Sequence, residues 1–409
     1  MKIHRSLVLA VVQSMLKIFE EGAFTEQVVE KLLKSNPRWG SRDRKFLAGT
    51  IYSVVRRKRL YESVAESIGS EKEEKYFTML GVCLIQQGNE LPDWPEFQHL
   101  KFAEIKTLLE HFESVPAIKY SVPEWLNAKG EKEFGVVQWT KEMEALNQEA
   151  EVVIRANSLK TTKNKLLDIL HKEGIETRAL QQEFCDKHGI PENAIVLKQR
   201  VNFRNSAIHQ SGYFEFQDAG SQLIAPFLEA LPGEFIIDAC AGAGGKTLHL
   251  AALMQNKGEI IAMDVEEGKL KILEQRAKRA GVKIVRTQFI NQEGINNLAH
   301  TADKLLMDVP CSGSGVLRRQ VDTKWKLSEE EIQRLIRVQR NILKDYVKML
   351  KPGGQMVYAT CSIFREENEE QVEWFLKENQ GRFELISQAR VNPSEGYDGF
   401  YMARIKKQL

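Results

Sequence analysis

Apolar residues return at every fourth position where this chain begins. Ile3, Leu7, Val11, Met15 and Phe19 lay one stripe along the face of an amphipathic helix, which is not the pattern of a signal peptide. The same periodicity predicts helices over Thr25–Lys34 and Ser41–Leu60. Two more are expected near Lys72–Gln87 and Phe97–Glu113, on either side of the loop Leu91-Pro92-Asp93-Trp94-Pro95. Residues 1–138 therefore read as an all-helical domain.

The pattern changes near residue 139. Val152–Asn157 is strand-like, Thr162–Lys172 is helical and ends at Gly174, and short strands are expected at Ile175–Leu180 and Ala194–Val196. Residues 139–209 read as a small α+β subdomain. From about Gly212 strands and helices alternate. Glu234–Asp238, Glu259–Asp264, Lys283–Ile290, Lys304–Asp308 and Gln355–Thr360 are apolar runs of strand length. Helices are predicted from Lys246, over Glu267–Ala280 and over Ser328–Leu350. That alternation predicts a doubly wound, mostly parallel sheet over 210–409, with chemistry in the loops at the carboxyl ends of the strands.

Charge and composition narrow the class. The 409 residues are 43% hydrophobic and 28% charged, and no apolar run approaches the roughly 18 residues of a membrane span. The net charge of +2 conceals an imbalance: residues 1–60 carry thirteen Lys/Arg against five Asp/Glu. Arg42, Arg44 and Lys45, with the run Arg56-Arg57-Lys58-Arg59, suggest a polyanion partner such as RNA. Cations at a helix carboxyl end also suit the helix dipole, with no ligand at all. The five cysteines, Cys83, Cys185, Cys240, Cys311 and Cys361, are scattered without a Cys-x-x-Cys pair. Neither a disulfide framework nor a metal site is expected, and a reducing cytoplasm fits best.

Three strand ends carry candidate chemistry. After the first strand of the sheet comes Asp238-Ala239-Cys240-Ala241-Gly242-Ala243-Gly244-Gly245-Lys246-Thr247. Its glycines let a ligand approach the backbone, but the spacing before Gly245-Lys246-Thr247 is not that of a phosphate-cradling loop. With Asp264 ending the next strand, a nucleoside cofactor is expected, S-adenosylmethionine ahead of a dinucleotide. The second end is Asp308-Val309-Pro310-Cys311-Ser312-Gly313-Ser314-Gly315, and the third is Thr360-Cys361-Ser362. Neighbouring strands would bring both thiols into one cleft. Carbon 5 of cytosine is too weak a nucleophile to take a methyl group until a thiolate adds to carbon 6, so two thiols beside a methyl donor suit that reaction. The alternative is two small hydrophobes packed in a core.

These motifs, with Arg318-Arg319, Asp322, Lys324, Trp325, Gln217–Ser221 and Gly399–Ala403, resemble the RNA 5-methylcytosine methyltransferases of the bacterial ribosomal (Sun/Fmu) and nucleolar types over nearly the whole chain. The resemblance implies a Rossmann-like class I S-adenosylmethionine methyltransferase domain. Ahead of it would stand a small RNA-recognition-like subdomain carrying Arg155 and Asn157, and a helical domain of the antitermination-factor type that binds RNA. It implies Cys361 as nucleophile, Cys311 as the thiol assisting product release, Asp308 on the cytosine edge, and Lys246 orienting the base. Cys240, Ala241, Gly242, Ala243, Gly244, Gly245, Lys246, Asp264 and Asp308 would line the cofactor. The implied protein is a cytoplasmic monomer acting on ribosomal RNA, with no metal and no membrane partner.

Two positions depart from the family pattern. Gly242-Ala243 stand where Ala-Pro is usual, which predicts a looser loop, and the acid expected after the third strand is missing, with Gln288 or Asn291 as substitutes. A non-catalytic assembly factor on the same fold is the rival reading. DNA cytosine methylation would leave Thr360-Cys361-Ser362 without a purpose.

Overall fold

A computed structural model describes residues 3–71, 74–189, 191–203 and 206–409. They form two compact units: residues up to Gln148 together with Leu317–Leu327, and Glu149–Val316 together with Ser328–Leu409.

The first unit is helical. The expected stripe forms the helix Arg5–Phe19, whose Leu7, Val11 and Met15 are buried against Leu47, Ile51, Val54 and Val55 of the helix Ser41–Arg56. Each such side chain contributes about 1.5–3 kcal/mol by leaving water. The helix Lys75–Gln86 crosses the middle of this core; its expected start at Lys72 lies outside the described residues. Ser41–Leu60 is not one helix but two, Ser41–Arg56 and Lys58–Ser67, joined at Arg57. At the break, Trp325 Nε1 donates to Val55 O (2.8 Å) and Lys324 Nζ to Arg56 O (2.8 Å). Side chains that take the carbonyls of a last turn end the helix there.

Those two donors belong to Leu317–Leu327, which was expected within 210–409 but packs as part of the helical unit. Val321 is buried in its core, and Asp322 Oδ2 accepts the Thr25 N–H (3.2 Å). Lys324 also reaches Tyr120 O and Asn147 Oδ1, both at 3.2 Å, so its three N–H groups meet three oxygens. The helix Val136–Asn147 likewise extends this unit beyond the boundary expected at residue 138. Its Trp139 and Met143 are buried, and Gly130 has no Cβ because the Trp139 indole fills that space.

In the second unit β1 (Val152–Ala156), β2 (Thr177–Arg178), β3 (Ala194–Leu197) and β4 (Phe214–Phe216) pair antiparallel in the order β2-β3-β1-β4. The larger sheet comprises β5 (Phe235–Asp238), β6 (Glu259–Asp264), β7 (Val285–Phe289), β8 (Ala302–Asp308), β9 (Leu350–Thr360), β10 (Phe383–Val391) and β11 (Phe400–Lys407). Its order is β10-β11-β9-β8-β5-β6-β7. β5 to β9 run parallel, and the last two strands form an antiparallel edge that periodicity did not reveal. Ile236-Ile237, Ile260–Met263, Leu305–Met307 and Met356–Ala359 are buried on both faces, as a covered parallel sheet requires. The direction of winding reverses between β5 and β8, and such a reversal opens a crevice at the carboxyl ends.

Candidate active site

The turn after β5 builds one wall of that crevice. Gly244 has φ +86°, and a Cβ there would stand 2.5 Å from the Leu273 side chain, so only glycine fits. The turn is not loose: Asp264 Oδ2 accepts the Gly242 N–H (2.8 Å), and Arg276 Nη1 donates to Ala243 O (2.7 Å). Proline's rigidity is thus replaced by tertiary hydrogen bonds. A cavity of about 220 Å³ lies over the turn, walled by Ser221, Asp238, Cys240, Ala241, Gly242, Ala243, Gly245, Lys246 and Asp308. Gly244 and Asp264 stand behind this wall. Asp264 Oδ1 also takes the Glu266 N–H (2.9 Å), so both its oxygens hold the loop.

Asp238 is buried. Thr247 Oγ1 donates to its Oδ2 (2.6 Å), while its Oδ1 has no hydrogen-bond partner among the described residues. Burial, with the Asp308 charge adding, pushes the Asp238 carboxyl up to about 7. An acceptor left unpaired beside a cavity, with the open Cα faces of Gly242 and Gly245 next to it, fits a polar cofactor lying along this turn.

β8 and β9 are hydrogen-bonded neighbours, with Asp308 opposite Ala359, and this register carries both strand-end thiols to one place. Cys311 Sγ and Cys361 Sγ are 3.3 Å apart, and the Cys361 N–H points to Cys311 Sγ at 3.3 Å. The bond to Cys361, then burial, holds the Cys311 thiol well above the ordinary cysteine range. Lys246 Nζ lies 2.5 Å from Asp308 Oδ2 and 5.5 Å from the centre of the Phe400 ring. Burial alone would lower the Lys246 pKa; the Asp308 carboxylate outweighs it and raises that ammonium. Cys361, Cys311, Asp308 and Lys246 are thereby assembled at the crevice.

Sequence reading missed the support beneath them. Glu367 and Asn368 are fully buried although they sit in the run Glu366-Glu367-Asn368-Glu369-Glu370, which reads as a solvated face. Of the two amides after the third strand, Asn291 is occupied: its Oδ1 caps the helix Gln292–Asn297 by accepting the Gly294 N–H (2.7 Å).

Several expected RNA-facing groups are internal joints. Arg155 is buried, donating Nε to Gln217 Oε1 (2.7 Å), and Asn157 Nδ2 donates to Gly212 O and Ala280 O (2.8 Å each). Arg44 donates to Trp39 O (2.9 Å) and Leu33 O (2.8 Å), Arg56 to Gln148 O (2.6 Å), and Arg59 to Val122 O (2.5 Å). Carbonyls left free at helix ends compete for cations as phosphates do. Arg42 and Lys45 remain exposed.

Among the described residues no cluster of His, Cys, Asp or Glu could hold a metal ion, and no helix is long and apolar enough to cross a membrane. The family model for 16S rRNA methyltransferase RsmB/F matches residues 225–406, and that for a RsmF/B-like ferredoxin-like domain matches 122–204. The chain is 27% identical to a probable ribosomal RNA small subunit methyltransferase B of Synechocystis sp., covering 94% of this chain and 96% of that one. It is 34% identical to the ribosomal RNA small subunit methyltransferase B of Vibrio vulnificus, covering 75% and 71%. A crystal structure of a methyltransferase homolog protein from Pyrococcus horikoshii superposes with a TM-score of 0.61 at 26% identity, over 71% of this chain and 97% of that one. By these matches the chain is a methyltransferase, an enzyme of the 16S rRNA methyltransferase RsmB/F family.

Proposed function

We propose that this enzyme transfers a methyl group from S-adenosylmethionine to carbon 5 of a cytosine in small-subunit ribosomal RNA, in the cytoplasm, through a covalent bond between Cys361 and the base. The observation that carries this reading is the pair of sulfurs 3.3 Å apart beside the Lys246–Asp308 ion pair.

Cys361, as thiolate, forms a carbon–sulfur bond at carbon 6, and the 5,6 electron pair moves to carbon 5. Bound S-adenosylmethionine supplies the electrophilic methyl group that this pair takes up. Asp308 accepts from the exocyclic amine of the base, and Lys246 holds that carboxylate and the ring in place. Cys311 keeps its proton while Cys361 beside it is an anion. Once Cys361 is bonded to carbon, that interaction is gone; Cys311 gives its proton to water and, as thiolate, takes the one on carbon 5. The electrons re-form the 5,6 bond, and Cys361 leaves with the bonding pair.

Asp238 and the turn from Cys240 to Lys246 would hold the cofactor, with Asp264 bracing the turn. Gln288 is the amide left to substitute for the missing acid, since Asn291 caps a helix. The exposed Arg42 and Lys45 would give the helical unit a salt-dependent affinity for phosphates, and the target base must be turned out of its stack.

The test is transfer of labelled methyl from S-adenosylmethionine to small-subunit rRNA by the wild type and by Cys361→Ala, with bisulfite sequencing to locate the product. Loss of transfer is expected, and full activity without Cys361 would end this assignment. Calorimetry with S-adenosylmethionine separates it from a scaffold, which has no reason to bind the cofactor.

A further inference from the structure

We infer that Glu367 is a positioning residue that sets the spacing of the two thiols, and so the balance between forming and releasing the covalent bond; this rests on the cysteine chemistry proposed above. Its side chain holds the residue that follows each cysteine. Oε1 accepts the Ser312 N–H (2.8 Å), and Oε2 accepts Ser312 Oγ (2.5 Å) and Ser362 Oγ (2.6 Å). Gln339 Nε2, from the helix Glu329–Tyr346, donates to Glu367 Oε1 (3.0 Å) and to Pro310 O (3.0 Å), which fixes the residue before Cys311 as well. Asn368 completes the frame: its Nδ2 donates to Ser362 O (2.9 Å), and its Oδ1 accepts Thr360 Oγ1. Both cysteines are therefore flanked by residues tied to one buried side chain or its neighbour.

The chemistry of the donors says what this group must be. A backbone N–H and an amide N–H cannot accept, so Oε1 must be an acceptor. Oε2 faces two hydroxyls, each able to give or take a proton. A glutamine reproduces this pattern, with its carbonyl at Oε1 and one N–H toward a serine, and lacks only the charge. Burial raises the Glu367 pKa despite four donors, which agrees with a frame that tolerates a neutral group.

The test compares Glu367→Ala, Glu367→Gln and Gln339→Met with Cys311→Ala, measuring methyl-transfer kcat, KM for RNA and the fraction of folded protein found as a covalent RNA adduct. Glu367→Ala should lower kcat at least tenfold with KM little changed and adduct raised severalfold. Glu367→Gln should return both to within about threefold of wild type, since the geometry is kept. Gln339→Met should shift the adduct in the same direction by less, and it keeps the test informative if Glu367→Ala does not fold. A loss of folding alone removes active molecules without raising adduct per folded molecule. If Cys311→Ala accumulates adduct while folded Glu367→Ala, or folded Gln339→Met where Glu367→Ala does not fold, stays at the wild-type level, this inference is overturned and the cysteine chemistry stands. If Cys311→Ala forms no adduct, the parent reading fails first.

Discussion

The backbone N–H of Cys361 points at the sulfur of Cys311, 3.3 Å away, and the two sulfurs are 3.3 Å apart. The hydrogen bond to Cys361, then burial, holds the Cys311 thiol well above the ordinary cysteine range. In the proposed mechanism, replacing Cys311 by Ala removes the proton acceptor for carbon 5 but leaves the attacking sulfur. A stalled protein–RNA adduct is expected, seen as a slowly migrating, denaturant-resistant band, with turnover reduced at least about 10²-fold. No band, in a variant whose Cys361 still reacts, would remove the release role.

Asp238 makes cofactor affinity depend on pH. Burial pushes its carboxyl up to about 7, and a cofactor donor at the proposed site needs the deprotonated acceptor. Affinity should therefore rise about tenfold from pH 6 to pH 8, and calorimetry in buffers of different ionisation heat should detect proton release.

The same shift has a stability consequence of opposite sense. A carboxyl whose folded pKa lies above its unfolded value stabilises fully below the unfolded value of about 3.9. That contribution is lost as pH rises through about 7, by up to ~1.4 kcal/mol per unit. Denaturant titrations of Asp238→Asn should show a flatter pH dependence than wild type between pH 4 and 7. Parallel curves would mean that another group governs that slope.

Lys246 and Asp308 should fail separately and be coupled. Asp308→Asn leaves a buried ammonium without its carboxylate, and Lys246→Met leaves a carboxylate without its cation. Each should lower kcat by about 10²-fold or more. The double variant should be far less than multiplicatively worse. A double-mutant cycle on methyl transfer checks this; additive losses would mean that the 2.5 Å contact has no part in the reaction.

Gly315 has no room for a side chain. A Cβ there would meet Gly399 O at 2.4 Å and Cys361 O at 2.8 Å, both backbone atoms, and the Gly315 N–H donates to Cys361 O (2.8 Å). Gly315→Ala should separate the two cysteine loops and lower activity more than it lowers the melting temperature, measurable by assay and thermal scan on one preparation.

What could be read from the chain, and what could not, follows one division. β5, β6, β8 and β9 are apolar runs that end in reactive residues, so their existence, and the strands ending at Asp308 and Thr360 as possible neighbours, could be anticipated from local pattern and topology; the register that sets Asp308 opposite Ala359 could not. β10 and β11 were missed because β10 alternates half-buried with exposed residues at an edge, and its pairing is set by β11 and not by its own periodicity. The basic run Arg56–Arg59 looked like a phosphate track, yet Arg56 and Arg59 are spent on carbonyls far along the chain, and Lys58 pairs with Glu62 and sits 5.3 Å over the Trp325 ring. Glu367 was hidden by its acidic neighbours. For Arg56, Arg59 and Glu367 the deciding partners, Gln148, Val122 and Ser312, are remote in sequence, and composition carries no record of them.

Lys324 and Trp325 bear on how such a protein could be taken apart. The helical unit borrows Leu317–Leu327 from the middle of the other unit's sequence, so three peptide bonds join the units where a simple fusion has one. A fragment ending at residue 148 would lack Val321 and the donors to Val55 O, Arg56 O and Tyr120 O, a loss of several kcal/mol. A synthetic peptide of residues 317–327 should raise that fragment's melting temperature in a saturable way. The helical unit is then no detachable accessory: a lineage could not shed it by a single truncation without also rewriting eleven residues inside its catalytic half.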